Sequence, residues 1–261
     1  MSTVPFLVSH PPATKQYRNP RREEPSGVVV VHTAENTPDW VAFDGGAEAV
    51  AQFIVNRSDP GSYHDLVDSD SIINLVDYSW EAFHDGTGSN RHSYGVSAAT
   101  RADVWPLAPE KWRAHTIDRM AMAAARYAKW LYARRRIVIP PRRISRAQSE
   151  ARVAGFIAHA DRDPERRTDP GLSFPWDTFL YAYAVFVSDL FPNPPTPIME
   201  ASQDMRILDC KGEPALLISG DGKMKGLTGP ERDALRRWGI EAGIVSVEER
   251  QHILDVLDGL A

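Results

Sequence analysis

The sequence has 261 residues, of which 43% are hydrophobic and 25% are charged, and its formal net charge is -5. This composition is typical of a globular protein, the acidic balance disfavours a generally basic nucleic-acid-binding protein, and the single cysteine, Cys210, excludes an internal disulfide. No stretch reaches the ~20 apolar residues that cross a bilayer, and residues 1–15 lack the apolar core of a secretory signal, so we expect a chain made in the cytoplasm without a signal peptide and not inserted in a membrane.

The first third of the chain predicts an irregular start followed by alternating strands and helices. Residues 1–27 are rich in proline and arginine and indicate an irregular lead-in. The four consecutive valines at 28–31 are too few and too β-branched for a helix, and they indicate a strand covered on both faces. Apolar residues at helical spacing predict a helix over 47–56. Further strands are predicted over 62–67 and 72–76, as a hairpin around 68–71, and over 94–99.

The middle of the chain contains the clearest amphipathic helix. Apolar residues recur at spacings of three and four between residues 114 and 136, at Ile117, Met120, Ala124, Tyr127 and Leu131. Three arginines at 134–136 lie where they complement the dipole at the end of this helix. A short apolar strand is predicted over 155–158, and a further helix over 176–191. These elements together predict an α/β fold with a central mixed sheet flanked by helices.

A proline-rich segment, residues 192–197, predicts an extended linker, because proline favours polyproline geometry and lacks a donor for a sheet. We therefore predict two domains, at 1–191 and 198–261. The second is expected to be a small α+β domain, with strands over 205–208 and 215–219 and helices over 230–239 and 247–257.

Two predicted strands each deliver a histidine at the carboxyl end. His32 follows the four valines, and His159 follows the apolar run 155–158. Ten residues after His159, a charged loop closed by Pro170-Gly171 brings in Asp169. Imidazole and carboxylate are good zinc ligands, and a catalytic zinc usually takes three protein groups and leaves a fourth position for water. A histidine at a strand end is more often structural than a ligand, so it is the combination of three that favours a metal site.

Five blocks of the sequence follow one another along the chain. They are His32 after the valines, Ser62-Tyr63-His64, Ala82 to Gly86, Ser93 to Val96, and His159 to Gly171. In this order and spacing they resemble those of the zinc-dependent N-acetylmuramoyl-L-alanine amidases, the family that includes peptidoglycan recognition proteins and amidase-type phage lysozymes. The resemblance covers roughly residues 26–190, and the run from Tyr94 to Trp105 is most similar to endolysins of phages that infect actinobacteria.

The resemblance implies a function and a set of ligands. It implies a peptidoglycan recognition protein-like fold and Zn²⁺ bound by His32, His159 and Asp169. It also implies hydrolysis of the amide between N-acetylmuramic acid and L-alanine in peptidoglycan, as a phage endolysin that is made in the host cytoplasm and acts on the cell wall. The alternatives are a non-catalytic peptidoglycan-binding module and an intracellular amidase that acts on soluble muropeptides.

The resemblance also implies roles for residues around the metal. Tyr63 is expected to orient water or polarise the carbonyl, although a half-buried hairpin aromatic explains it equally well. Arg167 lies where many relatives have a lysine that stabilises the transition state, and its alternative is a solvated loop cation. His84 is expected to touch the substrate, with a hydrogen-bonded loop histidine as the alternative. Ser97 replaces a glutamate that is the general base in some relatives, and serine is a poor base.

Two further segments are open to more than one interpretation. The arginines at 134–146 are expected to be a solvated helix end, with binding to anionic wall polymers as the second interpretation; nucleic acid is disfavoured because the loop has no interleaved aromatics. The predicted domain 198–261 follows a linker, which by analogy favours wall targeting, and a role in stability or dimerisation is its competitor.

Overall fold

The computed structural model describes residues 7–9, 16–41 and 45–190, and four short strands further along the chain. The chain divides into two compact units, Met1–Leu190 and Phe191–Ala261. In the first unit the strands are β1 (Leu7–Ser9), β2 (Tyr17–Arg18), β3 (Val28–Thr33), β4 (Asp65–Val67), β5 (Ile72–Asn74), β6 (Glu81–Ala82), β7 (Tyr94–Ala98) and β8 (Gly155–Ala158). The helices are α1 (Gly46–Asn56), α2 (Glu110–Arg135), α3 (Arg146–Glu150), α4 (His159–Arg162) and α5 (Trp176–Leu190).

Six strands form one mixed sheet in the order β1-β5-β4-β7-β3-β8. β5 is antiparallel to β4, and the other neighbouring pairs are parallel. β3 lies inside the sheet, and its four valines are fully buried, as their continuous apolar run predicts. The predicted α/β class with a central mixed sheet is confirmed.

Helices cover both faces of this sheet. Tyr94 of β7 stacks on Tyr127 of α2 with ring centroids 4.3 Å apart. Because side chains alternate along a strand, Ser97 of β7 points to the opposite face. Its register partner Leu66 packs there in a cluster with Ile54 of α1. The sheet is therefore sandwiched, with α1 on one face and α2 on the other.

The three helices predicted before residue 192 and the hairpin are confirmed, with small differences at their ends. α1 begins one residue earlier than its pattern indicated, and α2 begins at Glu110, four residues earlier. The hairpin strands β4 and β5 pair in antiparallel fashion, but each is only three residues long. No helix within the described ranges has both the length and the hydropathy to span a bilayer.

The irregular lead-in predicted for residues 1–27 is wrong at two places. β1 extends the main sheet as a parallel partner of β5, and β2 pairs in antiparallel fashion with β6. The prediction failed because these very short strands form by pairing with distant segments, which local composition does not encode. Helix α3 was not predicted. It begins with a capping box in which the side chains of Ser145 and Gln148 each form a hydrogen bond with the other's backbone.

The described part of the second unit is a four-stranded sheet. β9 (Arg206–Asp209), β10 (Ala215–Ile218), β11 (Met224–Leu227) and β12 (Ala242–Ile244) lie in the order β11-β10-β9-β12. The two strands predicted over 205–208 and 215–219 are confirmed as the antiparallel pair β9 and β10. β11 and β12 were not predicted. The linker at 192–197 and the helices over 230–239 and 247–257 lie outside the described residues.

Candidate metal centre

Two neighbouring parallel strands place two histidines side by side. Val31 of β3 is in register with Ala158 of β8, so the residues that follow them, His32 and His159, meet at the same edge of the sheet. Their ring centroids are 4.4 Å apart. Both side chains are buried, with 0% and 3% of their surface exposed. The strand pairing therefore brings together two imidazoles that are 127 positions apart in the sequence, the difference between 159 and 32.

The loop after α4 brings Asp169 to both histidines. Its Oδ2 lies 3.1 Å from Nδ1 of His159 and 3.4 Å from Nδ1 of His32. The same oxygen accepts the backbone N–H of Thr33 at 3.3 Å. The carbonyl of Asp169 accepts the backbone N–H of Ala160 at 2.7 Å. Main chain on both sides of the site therefore holds the carboxylate in place.

The turn after Asp169 is tied down by close packing. Gly171 has φ +100°, a conformation that side chains rarely adopt, and a Cβ there would overlap the backbone carbonyl of Ala102. The indole N–H of Trp105 donates to the carbonyl of Pro170 at 2.7 Å. The predicted turn at Pro170-Gly171 thus positions the neighbouring carboxylate by its backbone.

The three ligand atoms fit a zinc ion. Zinc–ligand bonds of ~2.0–2.1 Å in a tetrahedron separate neighbouring ligand atoms by about 3.3 Å. The two separations from Oδ2 of Asp169, 3.1 and 3.4 Å, are close to this value, and each of the three residues offers a ligand atom within 4.8 Å of the others. Nδ1 of His32 is also buried without a hydrogen-bond partner, which is costly unless a ligand satisfies it. A metal ion held between the three atoms would satisfy this nitrogen.

The protonation of the three groups is also the one that a metal requires. Burial and the neighbouring His159 together lower the pKa of His32 to about 4. Burial opposes ionisation of Asp169, but its close contacts with His159 and His32 outweigh this and hold its pKa well below the usual range. At neutral pH the site therefore offers a neutral His32 imidazole and a carboxylate, and metal binding needs no proton to be displaced from either.

A second group of carboxylates, Asp39, Asp68 and Asp70, is equally close-set among the described residues but differs in character. Asp68 Oδ2 accepts the backbone N–H of Ala47 at 2.7 Å. Asp68 Oδ1 accepts those of Asp70 and Ser71 at 3.1 and 2.7 Å. Both carboxylate oxygens of Asp68 are thus occupied by backbone N–H groups, and we interpret the three carboxylates as part of a turn and not as a metal site.

Tyr63 lies beside the histidines and is held in its neutral form. Its ring centroid is 5.2 Å from that of His32. Burial and the charge of Asp169 raise the pKa of Tyr63, while a hydrogen bond with Ser97 lowers it, and the resulting pKa is about 12. The phenol is therefore protonated at neutral pH, and it can donate a hydrogen bond but is a poor base.

Arg167 and Arg166 both line the opening above the metal ligands. Arg166 forms an ion pair with Asp163, three residues before it. Arg167 is exposed, and within the described part of the chain no hydrogen bond or ion pair is found for its guanidinium. Of the two adjacent cations, Arg167 is the one whose charge is available to a ligand.

His84 is in contact with the site but is almost entirely enclosed. Only 5% of its surface is exposed. Its Nδ1 lies 3.1 Å from Nε2 of His32, and its Nε2 lies 3.1 Å from the hydroxyl of Ser93. Burial holds the pKa of His84 well below its usual value. The role in substrate binding predicted for His84 stays a prediction, and both of its ring nitrogens contact protein groups.

An open cleft with a volume of about 740 Å³ lies over these residues. Tyr63, His84, His159, Arg167 and Asp169 line it, and His32 lies directly beneath. The cleft thus brings together all six residues that the sequence singled out.

Sequence reasoning missed the wall of the cleft that α1 provides. Phe53 has 61% of its surface exposed, and the guanidinium of Arg57 lies 5.3 Å from its ring centroid. The signal was present, because Phe53 is a large apolar residue outside the buried stripe of that helix. Glu35, three residues after His32, adds a second carboxylate to the cleft lining.

Comparison with known protein families decides where the chain belongs. Residues 21–172, more than half of the chain, match the family model described as N-acetylmuramoyl-L-alanine amidase. The chain belongs to this family. The matched segment contains all six predicted site residues, so the family assignment and the geometry concern the same part of the chain. A comparison with curated proteins finds no significant match.

The chain is also similar, at low sequence identity, to several solved structures. The catalytic domain of XlyA is 21% identical, covering 68% of this chain and 99% of that one, with a TM-score of 0.45. A mutant endolysin from Bacillus subtilis is 18% identical, covering 68% and 98%, with a TM-score of 0.43. The Staphylococcus aureus hydrolase AmiA, solved with its ligand, is 15% identical, covering 70% and 86%, with a TM-score of 0.46.

Proposed function

We propose that this protein is a zinc-dependent hydrolase that cleaves the amide between N-acetylmuramic acid and L-alanine in bacterial peptidoglycan. The observation that carries the proposal is the convergence of three ligand atoms on the floor of an open cleft, within a chain of the amidase family. These atoms are Nδ1 of His32, Nδ1 of His159 and Oδ2 of Asp169, and they match the spacing that tetrahedral zinc requires.

The residues divide the work of amide hydrolysis between them. A zinc ion held by the three ligands would supply Lewis acidity and lower the pKa of a bound water to about 7. Tyr63 is protonated and beside His32, so it donates a hydrogen bond to the amide oxygen as negative charge develops on it. Such a donor is worth most in the transition state, when the charge on that oxygen is largest.

Arg167 contributes charge without moving a proton. Its guanidinium lines the cleft and is not paired with a carboxylate among the described residues. Arginine stays protonated at any physiological pH, so it can attract the anionic transition state but cannot act as an acid or a base. This cation is therefore assigned to electrostatic stabilisation alone.

The ligand set is tested by removing one imidazole. His159→Ala should abolish stoichiometric zinc, measured by metal analysis of protein purified without chelator, and should abolish release of L-alanine amino termini from purified peptidoglycan. The matched control is His115→Ala, which changes an exposed histidine of α2. Loss of hydrolysis in His159→Ala with zinc fully retained would contradict the assignment.

A non-catalytic peptidoglycan-binding module is the competing function. The buried and unpartnered Nδ1 of His32 argues against it, because a pure binding protein gains nothing from an unsatisfied nitrogen beneath its cleft. If the purified wild type binds sacculi and releases no new amino termini, the binding module is the correct function and the amidase proposal fails.

The biological role that we propose is that of a phage endolysin, made in the host cytoplasm and acting on the wall when the membrane is permeabilised. Its support is the similarity of the Tyr94 to Trp105 run to endolysins of actinobacterial phages. Purified protein should clear suspensions of actinobacterial sacculi. Activity on soluble muropeptides without clearing of sacculi would instead indicate an intracellular amidase.

A further inference from the structure

Two consecutive residues after β6 contact both imidazoles of the candidate metal site. Nδ1 of His84 lies 3.1 Å from Nε2 of His32, and the backbone carbonyl of Asp85 lies 3.1 Å from Nε2 of His159. In each case the contacted nitrogen is the one on the far side of the ring from Asp169. We propose that His84 and the Asp85 carbonyl are positioning groups that hold both histidines with Nδ1 free for the metal, an inference that rests on the proposed zinc site.

A chain of hydrogen bonds runs from His32 through His84 and Ser93 to the backbone carbonyl of Ser89. Because this carbonyl can only accept, it determines which atom donates in each bond. The hydroxyl of Ser93 lies 2.7 Å from the carbonyl oxygen of Ser89. Two oxygens this close need a proton between them, and a carbonyl has none to give, so Ser93 donates. Ser93 is then left to accept from Nε2 of His84, which lies 3.1 Å away.

The consequence passes through His84 to the metal ligand. A neutral imidazole carries one ring proton, so a proton on Nε2 of His84 leaves its Nδ1 as an acceptor. That Nδ1 accepts the Nε2 proton of His32, and Nδ1 of His32 is left as a bare lone pair. This agrees with the finding that Nδ1 of His32 is buried without a hydrogen-bond partner. The hydrogen-bonding partner of one ring nitrogen thus sets which nitrogen can bind metal.

The second histidine is oriented by main chain in the same way. A carbonyl can only accept, so that of Asp85 accepts a hydrogen bond from Nε2 of His159 and turns Nδ1 of this ring toward Oδ2 of Asp169. The loop that carries these groups is itself held firmly. The side chain of Asn90 accepts the backbone N–H groups of His84 and Asp85 at 3.1 and 3.0 Å. The carboxylate of Asp85 accepts from Thr87 and Ser89, at the following turn.

The first measurement reads the tautomers in metal-free protein, by long-range ¹H–¹⁵N correlation spectra of the imidazole rings. In the wild type, His32 should carry its proton on Nε2. In His84→Ala, His32 should become a mixture of tautomers while His159 is unchanged. This reading is independent of zinc and of hydrolysis, so it separates failure of this inference from failure of the proposed function.

The second measurement is the zinc dissociation constant, obtained by competition with a chromogenic chelator. His84→Ala should weaken zinc binding by roughly 10- to 100-fold, the usual effect of losing a group that orients a metal ligand. His84→Asn should recover most of the affinity, because its side-chain oxygen can accept from Nε2 of His32. Ser93→Ala, one step further away, should give a smaller loss, and His115→Ala should give none.

Two results would overturn the inference. One is a wild-type tautomer of His32 and wild-type zinc affinity in folded His84→Ala. The other is a rise in KM for soluble muropeptide in the same variant with zinc affinity unchanged, since that would make His84 a substrate contact.

Discussion

At the scale of single residues, the candidate site depends on where protons are. Tyr63 lies beside His32, and its pKa of about 12 makes it a hydrogen-bond donor throughout the physiological range. Asp169 is kept ionised by the two imidazoles it contacts. At neutral pH both groups have the protonation that is usual for their residue types, and burial and neighbours distant in sequence widen the pH range over which they keep it.

We predict that Tyr63→Phe lowers kcat by about 100-fold, because it removes a donor to the developing oxyanion while leaving the ring in place. The measurement is steady-state hydrolysis of a soluble muropeptide, together with zinc content. KM and zinc content should stay near wild type, because the hydroxyl is not a ligand. An unchanged kcat would show that Tyr63 is only a packing residue, which is the alternative that its sequence position allowed.

We predict that the metal-free protein loses stability as the pH falls below about 6.5. Burial lowers the pKa of His32 and of His92 to about 4, and holds those of His64 and His84 well below the usual value. The unfolded chain binds protons below about 6.5 and the folded chain does not, so the free energy of unfolding falls by up to about 1.4 kcal/mol per pH unit for each fully buried histidine.

Urea denaturation at pH 7.5 and 5.5, in excess chelator, measures this loss. His92→Asn should reduce the difference between the two pH values, because one of the neutral histidines is gone. The matched change of an exposed residue, His115→Asn, should leave the difference as in wild type. Equal stability of the wild type at both pH values would contradict the neutral state of these histidines.

At the scale of elements, the site is an edge of the sheet completed by loops. The pairing of β3 with β8 sets the two histidines in register. On the other side of β3, β7 leaves room for the ring of His84. A glycine is needed on β7 for this purpose, because a Cβ at Gly95 would overlap the ring of His84. The strand β7, the loop with His84 and the candidate ligand His32 are therefore packed against one another.

We predict that Gly95→Ala weakens zinc binding by about tenfold with the sheet retained, since it displaces the ring that orients His32. The control is Gly88→Ala, at a position where a Cβ meets no atom within 4 Å. Chelator competition gives the zinc affinity, and circular dichroism checks the fold. Zinc binding equal in both variants would show that the contact between Gly95 and His84 does not matter for the site.

At the scale of the whole molecule, the chain is two compact units, and every predicted site residue lies in the first. The described part of the second is a four-stranded sheet. The role of residues 198–261 in wall targeting remains our proposal. Its physical basis is that a tethered binding unit raises the local concentration of the catalytic unit at an insoluble substrate.

We predict that a chain ending at residue 190 binds zinc as the full chain does and cleaves soluble muropeptides at a similar rate. On intact sacculi its rate should fall by roughly tenfold or more, because the tether is lost. Turbidity loss of sacculi and release of amino termini from soluble substrate measure the two activities. If both activities of the shortened chain match the full chain, stability or dimerisation becomes the better explanation for the second unit.

Much of the fold could be predicted because its signals are local. The buried valines of β3 and the apolar periodicity of α2 each follow from neighbouring residues, and the structure confirms both elements. The pairing of β1 with β5 and of β2 with β6 could not be predicted, because two or three residues carry too little pattern and their partners lie far along the chain. The α1 wall of the cleft was missed for a different reason: the sequence shows that Phe53 lies outside the buried stripe of its helix, but only folding places it beside the histidines.

The sequence by itself determined which side chains could hold a metal, since residue chemistry and the family's order of blocks are both written along the chain. Only the tertiary structure decided that His32, His159 and Asp169 lie at ligand distance from one another, that His84 contacts His32, and that Tyr63 lies beside them. The physical reason is range: periodicity and residue type act between near neighbours, whereas burial, the pKa values and the direction of a hydrogen bond depend on groups that only folding brings together.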